Sequence, residues 1–215
     1  MKLDELLSAP DPSVGQASDR LRAAVFAELE VPAARSWRGD VLWVIGVCGL
    51  VAAAVGVALI AGGAATVTHL ADRAAAIAGL LAIGAGCAFT ALAPRRRSRL
   101  GVGFALAAIG MVGLVLARQT SSVSSAPAWV CTLTHFTVAV APLLFGLSLL
   151  RKSAVDPIRA GLLGLAIGTT GAIVGELACE QSWAHVAIWH LGAWALVGAV
   201  AALAARRIVP RSFAP

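Results

Sequence analysis

Cys131 and His135 stand four residues apart at the head of a long apolar run, in "PAWVCTLTHF", and a second stretch, "GELACEQSWAHVAIWH", carries Glu176, Cys179, His185 and His190. Two chemistries use such a set. A pair of thiols closes a disulfide in an oxidising compartment. Thiolates and imidazoles also ligate soft and borderline divalent ions. Cys131, His135, Cys179 and His185 form a candidate tetrahedral set for zinc or a heavy metal, with Glu176 and His190 as further candidates. No short CxxC or HxxxCxxC spacing supports them. On an ideal α-helix His190 lies about 140° round from His185, so both reach one ion only where the helix is distorted.

These groups are distant in the chain, so the fold has to gather them. Of the 215 residues 59% are hydrophobic and 13% charged, against roughly 25% charged in soluble domains. The apolar residues fall in six runs, Val41 to Ala61, Arg73 to Ala93, Leu100 to Ala117, Trp129 to Leu150, Ile158 to Ala178 and His185 to Ala205. Each is long enough to cross a hydrocarbon layer of about 30 Å as a helix. Helices are expected because backbone groups in lipid must be satisfied within the segment. The fold class expected is therefore all-α, a six-transmembrane-helix bundle with a short N-terminal tail. No cleavable signal sequence is expected, since the first stretch is polar and the first helix can direct insertion.

Charge sets the expected orientation. Of seventeen Lys and Arg, fifteen fall before the first run, between the second and third, between the fourth run and the first turn of the fifth, or after the sixth, leaving Arg73 and Arg118 on the other side. The positive-inside rule then puts both termini in the cytoplasm of a bacterial inner membrane. Cys131, His135, Glu176, Cys179, His185 and His190 come to lie near the outer face, with His69 in an outer loop. Ionisable groups so placed are functional by default if they face the bundle. Cys48 and Cys87 fall on the inner half and read as small packing residues.

Residues 1–40 hold five basic and seven acidic side chains, the wrong sign for a nucleic-acid-binding arm. Asp11 and Pro12 can open a helix, and Val14, Ala17, Leu21, Val25 and Leu29 then recur on one face. Such a stripe either lies on the inner membrane face or docks into a partner's groove. Few basic residues flank it, and its acidic character suits a partner with a basic surface.

The six-helix layout, the cytoplasmic tail, Cys131 at the start of the fourth run, Pro142 within it, and "CEQSWAHVAIWHLG" leading into the last run resemble the NrsF-type membrane anti-sigma factors of proteobacteria. The carotenoid-regulating anti-sigma proteins that respond to light are similar in architecture. The resemblance implies a tail that holds an extracytoplasmic-function sigma factor at the membrane, with Val14, Leu21, Val25 and Leu29 as its apolar stripe. It implies sensing through Cys131 and Cys179, and release of the partner under stress. The organisation expected is a sigma-binding tail (1–40), a six-helix sensor (41–205) and a short basic cytoplasmic C-terminus (206–215). An enzyme is disfavoured because neither a Ser/His/Asp set nor HExxH occurs. A small transporter or a metal-binding integral membrane protein is the alternative, since 22 glycines suit broken helices. They suit close helix packing equally well.

Overall fold

The computed structural model describes residues 36–93, 97–117, 127–150, 156–179 and 182–208. Their apolar runs form α1 (Trp37–Ala61), α2 (Val67–Leu92), α3 (Arg97–Leu116), α4 (Trp129–Leu150) and α5 (Pro157–Ala178). A sixth rod follows in three parts: one α turn, α6 (Trp183–His185), a π-helical segment, π1 (Val186–Leu191), and α7 (Gly192–Ile208). Among the described residues six helices are long and apolar enough to cross a membrane. The expected all-α, six-rod architecture is what forms. The tail stripe of Val14, Leu21, Val25 and Leu29 lies outside the described residues.

The helix ends follow local chemistry. At the close of α1, Gly63 takes φ +71°, and the N–H groups of Gly63 and Ala64 bond the carbonyls of Ile60 and Leu59 at 3.1 and 2.8 Å. Glycine adopts that left-handed backbone without a Cβ penalty. Asp156 caps α5, its carboxylate accepting from the Ile158 N–H at 2.9 Å, with Pro157 at the first helical position. The α2 helix begins at Val67, six residues before the run that announces it, so His69 is helical and not in a loop. Thr68, His69, Asp72 and Arg73 interrupt the apolar pattern there without interrupting the backbone hydrogen bonds.

The rods alternate in direction. Arg159 at the start of α5 donates to the Ala93 carbonyl just past α2 at 2.9 Å, while Arg73 near the start of α2 meets Glu176 near the end of α5. These two helices are therefore antiparallel. Thr132 of α4 reaches Trp189 of π1, so the heads of the fourth and sixth rods lie together beside the tail of α5.

The centre of the bundle is α5. From Ala160 to Leu177 every residue but Leu165 is buried, and α5 packs against α1, α2, α3, α4, α7 and π1. Its glycines explain how so many neighbours fit. Gly161, Gly164, Gly168, Gly171 and Gly175 recur at three- and four-residue spacing, a stripe that lets other helices approach its backbone. Ala201, Gly198 and Val197 crowd Gly164, the Trp194 ring lies on Gly168, His135 on Gly171 and His190 on Gly175. Trp194 is fully buried and its indole N–H donates to the Leu165 carbonyl at 2.6 Å. Leu50, Leu116 and Leu144, by contrast, are 67–78% exposed on the outside of the bundle. Side chains of that size facing outward are what hydrocarbon, not water, accommodates. Trp129 and Trp183, both exposed, stand at the end where α4 and α6 begin, the depth at which amphipathic rings settle in a bilayer.

Candidate functional site

The thiol and imidazole groups collect where α4 and α6 begin and α5 ends. Cys131 and His135 are one turn apart on α4, which puts them on one face. Cys179 is the residue at which α5 gives way to extended backbone, with φ −131° and ψ 113°, its N–H still bonded to the Gly175 carbonyl at 2.9 Å. His185 closes α6, and His190 lies in π1.

One ligand atom from each of Cys131, Cys179, His185 and His190 lies within 4.8 Å of all the others. His185 Nε2 is 3.4 Å from Cys131 Sγ, and the His185 and His190 rings are 5.4 Å apart. Both cysteines are unlinked thiols here. Cys179 and His190 are buried while Cys131 and His185 are partly open, so the cluster is a recess with one accessible side. A soft or borderline divalent ion is what such a donor set can hold.

This grouping differs from the tetrad expected from sequence in one member: His190 takes the place of His135. The reason is π1. A helix with i→i+5 hydrogen bonds brings residues five apart close to one another along its surface, so the distortion that would let His185 and His190 share a target is built in. Two contacts fix it. Thr132 Oγ1 donates to the Trp189 carbonyl inside π1 at 2.9 Å, and Trp194, just beyond, is seated against Gly168. His135 stands directly behind His190, with Nε2 3.0 Å from His190 Nδ1 and the rings edge-on, 5.0 Å between centroids. It is 1% exposed.

Glu176 is not among the four clustered donors. It is buried, with one carboxylate oxygen 3.8 Å from the Arg73 guanidinium. Arg73 offsets the cost of burying that charge. The side chain of His69 and all of Glu180 lie outside the described residues. Cys87 packs in the core and donates to the Gly103 carbonyl at 3.3 Å, and Cys48 borders the same core. The residues that sequence reasoning missed are Gly171, Gly175 and Thr132. A Cβ at Gly171 or Gly175 would collide with the His135 or His190 ring, so these two glycines make the room in which the imidazoles sit. The periodic glycines of α5 carry that signal, though not the identity of what fills each gap.

The chain is 40% identical over 225 residues to the carotenogenesis protein CarR of Myxococcus xanthus, an alignment covering 100% of this chain and 98% of the relative. No family model matches the chain, and no solved structure matches it. Identity of that level over the whole length of both proteins means that the chain belongs to the family of the carotenogenesis protein CarR.

Proposed function

We propose that this protein is a membrane-bound anti-sigma factor. Residues 1–40 sequester an extracytoplasmic-function sigma factor, and a stress signal received at Cys131 and Cys179, at the outer face of a bacterial inner membrane, releases it. The observation that carries the reading is the full-length relationship to a carotenogenesis protein, in a chain whose layout resembles the light-responsive, carotenoid-regulating anti-sigma proteins and the NrsF type. The role is regulatory and not catalytic. Orientation follows from the one-sided distribution of Lys and Arg, and the acidic tail suits a basic partner surface with no direct contact to nucleic acid.

The gathered thiols supply an input and α5 supplies a route. Thiolates bind soft metals and are also what oxidants attack, so one pair serves either stimulus. Cys179 ends the helix that touches the rest of the bundle, so a change at the thiols bears on all six rods. For the partner to leave, the signal has to favour the releasing arrangement over the holding one.

The test is purification of the full chain in detergent with its associated proteins identified by mass spectrometry. A sigma factor is the expected partner, lost on Leu21→Asp or Val25→Asp, each removing apolar contact worth about 1.5–3 kcal/mol when fully buried. Undiminished sigma factor with both substitutions would take the stripe out of the interface. Absence of any sigma factor from the wild-type preparation would defeat the reading itself.

A further inference from the structure

We propose that Cys131, Cys179, His185 and His190 are the four ligands of a tetrahedral site for one divalent ion of the zinc class, and that His135 is the positioning residue that prepares His190 to bind it. The proposal deepens the sensing role given above to this end of the bundle and rests on that reading for its physiological meaning, though not for its chemistry.

Geometry comes first. In a tetrahedral site with metal–sulfur bonds of about 2.3 Å and metal–nitrogen bonds of about 2.0 Å, neighbouring ligand atoms are roughly 3.3–3.8 Å apart. The His185 Nε2 to Cys131 Sγ distance of 3.4 Å falls in that interval, and no separation among the four exceeds 4.8 Å. Closing the set around an ion therefore takes adjustments of about an ångström. Two sulfurs and two imidazole nitrogens in a tetrahedron select zinc over hard cations such as magnesium or calcium, which take oxygen ligands.

The role of His135 follows from proton placement. His190 turns Nδ1 toward His135 Nε2 at 3.0 Å, which leaves Nε2 as its ligand atom. To offer a lone pair from Nε2, neutral His190 must carry its proton on Nδ1 and donate it to a fixed acceptor. Metal-bound histidines almost always have such an outer partner. His135 is that acceptor, and its own proton then belongs on Nδ1. That atom lies against Gly171 and has no hydrogen-bond partner among the described residues. Ion binding thus takes one proton from each thiol and holds the hydrogen bond between the two rings in the direction His190 Nδ1–H to His135 Nε2, leaving both imidazoles neutral.

The experiment uses the full chain, reduced and metal-free, in detergent, titrated with cobalt(II) and, separately, with zinc in competition. One ion per chain is expected, with the intense visible bands of four-coordinate cobalt and the near-ultraviolet charge transfer of bound thiolate. His135→Leu should weaken binding by about 10- to 100-fold while keeping the thiolate band. His135→Gln, whose amide oxygen can accept from His190 Nδ1, should recover most of the loss. X-ray absorption of the zinc-loaded wild type, which needs no variant, should show two sulfurs near 2.3 Å and two nitrogens near 2.0 Å, the distances of roughly tetrahedral thiolate–imidazole zinc. A shell of oxygen and nitrogen alone would overturn the site. So would wild-type affinity no greater than that of a Cys131→Ser, Cys179→Ser chain. Equal affinities for wild type and His135→Leu would overturn the positioning role. All these readouts are independent of sigma-factor retention, so failure of the anti-sigma reading and failure of the metal site are told apart.

Discussion

Replacing Gly164 by alanine puts one methyl group where the structure has no room for it. A Cβ there would meet Gly198 Cα and the Val197 carbonyl oxygen at 2.8 Å and Ala201 Cβ at 2.7 Å. Two of these are backbone atoms of α7 and cannot rotate away, so relief requires α5 and α7 to separate over the length of their glycine-lined contact. Overpacking of this kind costs typically about 1–3 kcal/mol, and rigid backbone neighbours put Gly164→Ala in the upper part of that range. Against it stands the gain of about 0.5–1 kcal/mol from alanine over glycine in a helix. The net expectation is a destabilisation of about 1–2 kcal/mol. Gly46 on α1 is the control, since a Cβ there meets nothing within 4 Å, and Gly46→Ala should be neutral or slightly stabilising. Equilibrium unfolding of the full chain in mixed micelles of rising SDS content, followed by Trp fluorescence and circular dichroism, reads the difference. If Gly164→Ala unfolds at the same SDS fraction as Gly46→Ala, the close backbone contact does not exist and the central position of α5 has to be reconsidered.

Three other expectations test different parts of the molecule. Arg73→Ala should destabilise the fold by about 1–3 kcal/mol by removing the guanidinium beside the buried Glu176 carboxylate, and Glu176→Gln should relieve part of that loss; additive effects in the double mutant would mean the two do not interact. Thr132→Val, which keeps the shape of the side chain and removes the donor to the Trp189 carbonyl, should cost about 1 kcal/mol and loosen π1, read as faster hydrogen exchange from Ala187 to Leu191; unchanged exchange would show that the hydroxyl does not hold the segment. In signalling, Cys131→Ser and Cys179→Ser should act alike and the double variant little worse than either, as members of one unit do, with Cys48→Ser and Cys87→Ser near silent in a sigma-dependent reporter strain; additive effects of Cys131→Ser and Cys179→Ser would break the single-unit picture.

How far the sequence could be read differs from place to place, for physical reasons. The α4 span, Trp129–Leu150, is legible to the residue, because Pro127 and the Arg151–Lys152 pair flank a largely apolar stretch with no charged side chain. The α2 start is not, because an apolar run marks only what can face hydrocarbon while the helix itself continues through Thr68, Asp72 and Arg73. That Cys131, Cys179 and His185 share one end of the bundle follows from rod alternation alone, since any up-and-down bundle puts the start of the fourth run level with the end of the fifth. The inclusion of His190 does not follow. It depends on a change of helical pitch within "VAIWHL", where nearly every side chain is apolar and no periodicity betrays the wider turn. His135, one turn below Cys131, looks equally eligible as a ligand until the ring of His190 is seen to stand in front of it.

The wider turn in the sixth rod also works as a phase setter. Below it, α7 must present Trp194 and Gly198 to the glycines of α5; above it, α6 must present His185 to Cys131. A uniform α-helix advances about 100° per residue, so one residue more or fewer between these two commitments would aim His185 away while leaving Trp194 in its seat. Removing one residue from this stretch would therefore act as a frameshift in space, with the lower half of the bundle intact and the upper cluster dispersed. The packing core and the chemical centre are indexed to each other at this one short segment, where the chain sets how the membrane-buried scaffold is aligned with the chemistry at its end.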